Sequence, residues 1–226
     1  MKKLSERLDV ESVTVTFLPL PKGRKRGNAI GFCAAAPIAT LEAAGGAPPW
    51  RWVNGKPEVL TYETVKRLTA LGAAGRQVVG HWTTPKADEH GLLWSLGADG
   101  AMHASELHPK AWQKSWVTAC DGRQQIGFGY ESFAKIPSRA LVWSGSAESV
   151  VVLLGPDGNI DSQARGVSEG IQVGRVGSRR AHAMSLARHE RIVRRPASGG
   201  RTVPGIRGDW RWRWAAGGAR NGRRVS

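Results

Sequence analysis

The chain has 226 residues and a formal net charge of +15, and 41% of its residues are hydrophobic. Its 29 glycines and 12 prolines are typical of a turn-rich β protein and argue against a chain that is disordered throughout. No run of about 18 apolar residues occurs, and no apolar segment follows the basic residues at the start. We therefore expect neither a membrane span nor a signal peptide.

The positive charge is concentrated at one end of the chain. Residues 1–174 hold 19 lysines and arginines against 16 acidic residues, whereas residues 175–226 hold 14 arginines against Glu190 and Asp209. The body of the chain is therefore nearly neutral, and only its end is strongly basic.

A glycine-rich motif recurs along the body of the chain. Its closing glycine falls at Gly31, Gly80, Gly127 and Gly174, so the first step is 49 residues and the next two are 47 residues each. Self-similarity at such a period indicates a repeat architecture. Because the same residue at the same step meets the same backbone demand, we expect Gly80, Gly127 and Gly174 to occupy equivalent β positions in successive units.

A tryptophan follows the first three of these glycines. These residues are Trp52, Trp94 and Trp143, and Leu186 stands at the corresponding place in the fourth copy. Aliphatic residues flank them, so we predict that the three tryptophans are buried at equivalent places between units. Turn pairs that tolerate positive φ separate the intervening segments: Asn54-Gly55, Asp99-Gly100 and Asp157-Gly158.

The size of the unit predicts the fold. About 47 residues with short β-branched runs fit three or four strands, which is the size of one propeller blade. We predict an all-β, propeller-like repeat of about four units in residues 11–193, whose ring is either open or completed by another chain. Residues 13–18 are expected to pair with the strand around 171–176, or else to leave open sheet edges that favour homo-oligomers.

One segment allows a different structure. Between residues 57 and 74, apolar residues recur at intervals of three to five, which is compatible with a helix. The corresponding region of the third unit is polar and turn-like, so the β interpretation is retained for this segment too.

The motifs in combination resemble a known group of proteins. Leu107-His108-Pro109, Ser162-Gln163-Ala164, the motif at 122–127 and Arg-Ala-Leu-Val-Trp-Ser-Gly at 139–145 are similar to the units of bacterial repeat proteins related to those with HAF-type repeats. The resemblance covers about residues 11–186. It implies a propeller-like β fold and an unassigned function, and it supplies no catalytic residues to carry over. The expected location is the cytoplasm, and export is the alternative, because relatives of this kind are often exported.

Residues 194–226 are predicted to form a basic Arg/Gly/Trp tail that is disordered and lies outside the repeat domain. Pro, Gly and Ser open the segment and aliphatic residues are few. Alternating Trp and Arg would place indoles on one face of an extended segment. The functional interpretation is binding to an anionic polymer such as nucleic acid, or to a membrane surface, and the alternative is a tail without function. The residues concerned are Trp210, Arg211, Trp212, Arg213 and Trp214.

Neither a metal site nor a cofactor site is predicted. The spacings of His81, His90, His103 and His108 match no familiar ligand pattern. The two cysteines, Cys33 and Cys120, have no CxxC spacing, and we expect buried free thiols.

No catalytic residue is assigned either. Ser144, His108 and Asp121 contain the residue types of a catalytic triad, but the sequence around Ser144 lacks a Gly-x-Ser-x-Gly motif and belongs to the repeat. The recurring glycines, glutamines and aliphatic residues build strands and turns rather than perform chemistry.

We therefore expect a non-enzymatic interaction domain with a protein or glycan ligand. Trp112 and Trp116 are candidates for a surface binding site if they lie outside the core. The alternative is an enzyme with its site at the mouth of a propeller, for which His103, Glu106 and Arg123 are the candidate residues.

Overall fold

The computed structural model describes residues 17–24, 26–42, 48–65, 67–132, 137–153 and 161–177, and the backbone of residues 182–188 and 210–213. These residues form 16 β-strands and one short 3-10 turn at Ala147–Ser149. The strands make four sheets of four antiparallel strands, and strands that follow each other in the chain are neighbours in the sheet. The prediction of an all-β protein is confirmed.

The first sheet contains β1 (Gly27–Cys33), β2 (Ala36–Leu41), β3 (Pro49–Val53) and β4 (Lys56–Val59). The second contains β5 (Leu68–Ala74), β6 (Gln77–Thr83), β7 (Glu89–Leu96) and β8 (Met102–Glu106). The third contains β9 (Lys114–Cys120), β10 (Gln125–Tyr130), β11 (Arg139–Trp143) and β12 (Val151–Leu153). The fourth contains β13 (Ser162–Ser168), β14 (Ile171–Val176), β15 (His182–Arg188) and β16 (Trp210–Arg213).

Tight turns connect several of the strands that are neighbours in a sheet. Asn54 and Gly55 have φ values of 50° and 76° and link β3 to β4, as the positive-φ turns of two-residue hairpins require. Gly100, with φ of 80°, lies in the turn between β7 and β8. Two of the three predicted turn pairs therefore lie at hairpins, and residues 157–158 lie outside the described residues.

The recurring glycine lies in the second strand of three sheets. Gly80, Gly127 and Gly174 each pair with the first strand at a bulge and with the third strand on the other side. A Cβ at these positions would overlap the backbone of the first strand, because the bulge brings a carbonyl group against the glycine. The predicted equivalence of the three glycines is confirmed.

The prediction that Gly31 is the first copy of the recurring glycine is wrong. Gly31 lies in the first strand, β1, at the bulge, where Gly72 and Gly166 lie in the second and fourth sheets. The register position of the recurring glycine belongs to Ala39, which pairs with Ala29 and Trp50. The first unit is shorter than the others, so a glycine at the bulge happened to fall near the expected step.

The three tryptophans occupy one register position in the third strand of their sheets. Trp52, Trp94 and Trp143 are 3%, 0% and 0% exposed, so their predicted burial is confirmed. Trp94 and Trp143 pack against the preceding sheet, in the clusters that join the first sheet to the second and the second to the third. Trp52 instead packs beside Leu18 and donates its Nε1 hydrogen to the carbonyl of Pro19, at 2.9 Å.

Apolar clusters join the sheets in chain order. Ile38 packs with the second sheet, Val79 with the third, and Ile126 with Ala164 of the fourth. No comparable packing of the fourth sheet against the first occurs among the described residues. Most of the core is therefore distributed over three interfaces, and in the described part of the chain the stack of sheets is open at both ends.

The β interpretation of the segment between residues 57 and 74 is confirmed for its described residues, whereas two other expectations need correction. Residues 57–65 and 67–74 contain the end of β4 and all of β5, and no helix. Strand β14 has β13 on one side and β15 on the other, so it offers no free edge to residues 13–18, of which 13–16 lie outside the described residues.

The second correction concerns the basic end of the chain. Trp210–Arg213 forms β16 and pairs with β15, so these four residues belong to the fourth sheet and not to a separate tail. The rest of residues 194–226 lies outside the described residues. Within the part of the chain that the structure describes, no helix is long and apolar enough to cross a membrane.

Candidate functional site

The recurring glutamines connect neighbouring sheets. Gln125 donates its Nε2 hydrogen to Oε1 of Gln77 at 2.9 Å, and Gln172 donates in the same way to Gln124 at 2.7 Å. In both pairs, the accepting glutamine lies three residues before the recurring glycine of its own sheet. The donating glutamine lies in the next sheet, two residues before the recurring glycine there. Because Gln125 and Gln172 are almost fully buried, their amide groups connect the sheets and are not available to a ligand.

Two buried serines make a second recurring connection. The Oγ atom of Ser115 accepts a hydrogen bond from the backbone N–H of Gly91 at 2.9 Å, and Ser162 accepts one from Ala140 at 3.0 Å. In both cases a serine at the start of a first strand binds the third strand of the preceding sheet. The recurring polar side chains are therefore structural.

The interface between the first and second sheets lacks both connections. The glutamine positions are held there by Ala36 and Val78, and the serine position by Leu68. The residue that would donate its N–H is Pro49, which has none. This interface is consistently apolar at the places where the other two are polar.

The three residues of the hypothetical triad lie apart. His108 precedes the first residue of β9, whereas Asp121 follows its last residue and Ser144 follows β11 near that same end. Seven strand residues separate the two ends of β9, or about 20 Å at 3.3 Å per residue. Ser144, His108 and Asp121 therefore cannot act together.

A histidine–carboxylate cluster lies at the end of the second and third sheets where β9 begins. The Nδ1 atom of His90 lies 2.5 Å from Oε1 of Glu106, which also accepts a hydrogen bond from Nε1 of Trp82 at 3.2 Å. The rings of His90 and His108 stack with centroids 3.6 Å apart and an interplanar angle of 5°.

The protonation of His108 follows from its partners. Its Nε2 atom lies 2.9 Å from the carbonyl oxygen of Trp112, which can only accept, so Nε2 carries the hydrogen and Nδ1 accepts from the hydroxyl of Ser115 at 2.8 Å. Burial and the adjacent His90 lower the pKa of His108. Because Ser115 is 0% exposed, this serine–histidine pair cannot reach a substrate and stabilises the structure instead.

The remaining histidines and the cysteines do not form a metal site in the described part of the chain. No group of three or more His, Cys, Asp or Glu side chains is arranged to hold a metal ion there. His103 pairs with Asp99 at 3.1 Å on the surface. Cys33 and Cys120 are free and buried, as expected, and burial raises the pKa of Cys120 to about 11.

Aromatic side chains gather at the same end of the third sheet, in a group we call the aromatic patch: His81, Trp116, Phe128, Tyr130 and Arg165. Trp116 stacks on Phe128 with centroids 5.0 Å apart, and Tyr130 meets Trp116 edge-on at 5.7 Å. The Cζ atom of Arg165, from the fourth sheet, lies 5.1 Å from the centre of the Phe128 ring. The patch is partly exposed and combines flat apolar surface with positive charge.

The predicted binding tryptophans have different surroundings. Trp116 belongs to the aromatic patch, whereas Trp112 packs against the core between the second and third sheets and against Gly129. Trp210, Arg211, Trp212 and Arg213 lie on β16, but their side chains, and all of Trp214, lie outside the described residues.

The three residues proposed for an enzyme site do not converge. His103 and Glu106 lie at different places along β8, and Arg123 lies in the turn between β9 and β10, at the far end from Glu106.

The other members of the patch were not identified from the sequence. Phe128 holds the register position of His81 in the second sheet and Arg175 in the fourth, so no shared residue type marks it. The sequence feature that could have identified Phe128 is the change of residue type at this register position from one unit to the next. Comparisons with protein families, with characterised proteins and with solved structures find no match to this chain.

Proposed function

We propose that the protein is a non-enzymatic binding domain with a propeller-like arrangement of sheets, and that its ligand binds at the aromatic patch. The observation that carries the proposal is the contrast between two sets of residues. Recurring polar side chains are engaged between sheets, whereas non-recurring aromatic and charged side chains gather at one exposed end.

The chemistry of the patch favours an acidic glycan as the ligand. Aromatic side chains combine a flat apolar surface with a polar edge, which suits the apolar faces and hydroxyl groups of sugar rings. Arg165 adds an exposed guanidinium, which binds carboxylates in a bidentate manner. The guanidinium contacts the Phe128 ring and Oε1 of Gln163, which are both uncharged, so an acidic group of the ligand would compensate a charge that these contacts leave unneutralised.

The test compares two arginines at opposite ends of the sheets. We expect the full chain to bind acidic oligosaccharides on a glycan array and in calorimetry, and Arg165→Ala to weaken binding at least about tenfold. Arg123→Ala removes an exposed arginine at the far end and serves as the control. Equal binding by both variants, or binding of neutral glycans only, would contradict the proposed site.

A second candidate function is an enzyme that uses the cluster of His90 and Glu106. Their 2.5 Å contact is a pair that can exchange a proton, and both side chains are partly exposed. Turnover of any substrate that Glu106→Gln abolishes, without loss of folding, would favour this function over binding alone. Binding of anionic polymers by the end of the chain stays a prediction.

A further inference from the structure

The two ends of the stack of sheets carry the two halves of one kind of interface. In the first three sheets, one face packs against the following sheet through a residue of the second strand. These residues are Ile38, Val79 and Ile126, which are 1%, 0% and 0% exposed. Val173 holds the same register position in the fourth sheet, and it is 48% exposed.

The opposite face shows the complementary pattern. Ala73, Cys120 and Val167 each lie on the first strand and pack against the preceding sheet. Phe32 holds this position in the first sheet, where no preceding sheet covers it among the described residues, and it is 61% exposed. A large apolar side chain thus stands at the place where the other sheets bury one.

The glycines of the first strands show how the two faces fit. A Cβ at Gly31 would lie 3.5 Å from the Cβ of Ala73 in the second sheet, and one at Gly72 would lie 3.0 Å from Cα of Ala119 in the third. At Gly166 in the fourth sheet, the only described atom within 4 Å is Cγ2 of Val173 in the same sheet. The outer face of the fourth sheet therefore has an open recess at Gly166.

We propose that the first sheet of a second copy of this chain packs on the fourth sheet, with Phe32 of that copy against Gly166 and Val173. The contact continues the interface that is already repeated three times within the chain, and Ile171, also 48% exposed, extends the apolar surface beside it. The contact is head-to-tail, so it generates a closed ring if the rotation closes and an open chain if it does not. The two faces belong to one chain, and the described residues of the two sheets do not pack against each other.

The experiment uses two variants of the full chain and their mixture, with mass measured by light scattering after gel filtration. Phe32→Glu spoils one face and Val173→Glu spoils the other, because each would bury an unpaired charge. We expect the native chain to have the mass of two or more copies, and each variant alone to be monomeric. An equimolar mixture should form a one-to-one dimer, because each variant keeps the face that the other has lost.

Leu71→Glu is the control. Leu71 is also exposed and apolar, at 39%, but it lies in the second sheet and away from both end faces. This variant should assemble like the native chain. Moderate salt is needed throughout, because the net charge of +15 opposes association.

Several results would overturn the proposal. A monomeric native chain would mean that the faces stay open or pack on each other within one chain. Assembly by Val173→Glu alone would indicate a symmetric contact of two first sheets, and a mixture that stays monomeric would show that the faces do not match. Ile171→Glu and Phe32→Ser replace either variant if its melting transition shows that it is not folded.

Discussion

The packing of the recurring glycine against a backbone bulge can be tested at Gly127. An alanine there would place its Cβ on the carbonyl group of Trp116, 2.9 Å from the carbonyl carbon, and 3.0 Å from Cα of Val117. Carbon–carbon contacts normally lie at about 3.5 to 4.0 Å, and the overlap with the carbonyl oxygen of Trp116 is larger than that with the carbons, so β9 would have to move by about an ångström or more. This movement would weaken the backbone hydrogen bonds between β9 and β10 and the packing of the buried Val117.

We expect Gly127→Ala to lower the free energy of unfolding by about 2 to 4 kcal/mol, from overpacking and weakened hydrogen bonds together. The matched control is Gly166→Ala, another strand glycine, where a Cβ would meet no backbone atom and only Cγ2 of Val173, at 3.0 Å. Because Gly166 also lies in the proposed contact between copies, both variants are compared at a protein concentration low enough to keep the chain monomeric. Because both changes restrict the unfolded chain equally, their difference isolates the clash.

The assay is urea or thermal denaturation of the full chain. For a chain of this size, the expected loss at Gly127 corresponds to roughly 5 to 15 °C in melting temperature. In the first sheet, Ala39 has a Cβ at the register position of Gly127. The first strand of a sheet can therefore lie far enough from the second strand to accommodate this Cβ. Equal stability of Gly127→Ala and Gly166→Ala would show that β9 adopts this placement freely and would refute the argument.

Three further predictions concern the interfaces. Gln125→Val should cost about 2 kcal/mol by leaving Gln77 and a backbone N–H unpaired, and adding Gln77→Ala should recover part of it, seen as non-additivity in a double-mutant cycle. Trp94→Phe should destabilise the chain by about 1 kcal/mol more than Trp143→Phe in denaturant titrations, because only the Trp94 indole has a hydrogen-bond partner, a backbone carbonyl. The pKa of His108 is lowered in the folded state, so melting temperature should fall as pH drops below about 6.5, the unfolded value, and His108→Gln should flatten this dependence.

The repeat and its core positions could be predicted from the sequence because they depend on one residue type at one step. Gly80, Gly127 and Gly174 face equivalent bulges in three sheets, and Trp94 and Trp143 fill equivalent places in two successive interfaces. The position equivalent to the recurring glycine could not be predicted in the first unit, because alanine replaces glycine there and the unit is shorter.

The partners of the glutamines could not be predicted in the same way. Gln77 and Gln125 are 48 residues apart, and the sequence does not reveal which face of a sheet meets the next. Only part of the aromatic patch could be predicted. Trp116 is a candidate because it is a tryptophan outside the repeated motif, whereas Phe128 occupies a register position at which the units share no residue type.

Strand β16 was missed for a different reason. Its alternating Trp and Arg residues are typical of an exposed strand, but they lie in a strongly basic segment separated from β15 by residues 189–209. Strand pairing across such a connection depends on the free edge of β15, which only the assembled sheet defines.

The apolar first interface determines where the chain could be lengthened by duplication. A copy of the third unit inserted directly after the original would place Gln125 of the copy against Gln124, and Ser115 of the copy against the N–H of Ala140, so these two buried polar side chains would keep partners.

The same copy inserted after the first unit would meet Ala36, which has no side-chain amide, and Pro49, which has no backbone N–H. Gln125 and Ser115 would then be buried without partners, at about 1 to 3 kcal/mol each. The first unit thus accepts only a successor with apolar residues at both places, whereas the second and third can each be followed by a duplicate of the third. An array grown from this chain by gene duplication would add units in the middle and keep its first two together.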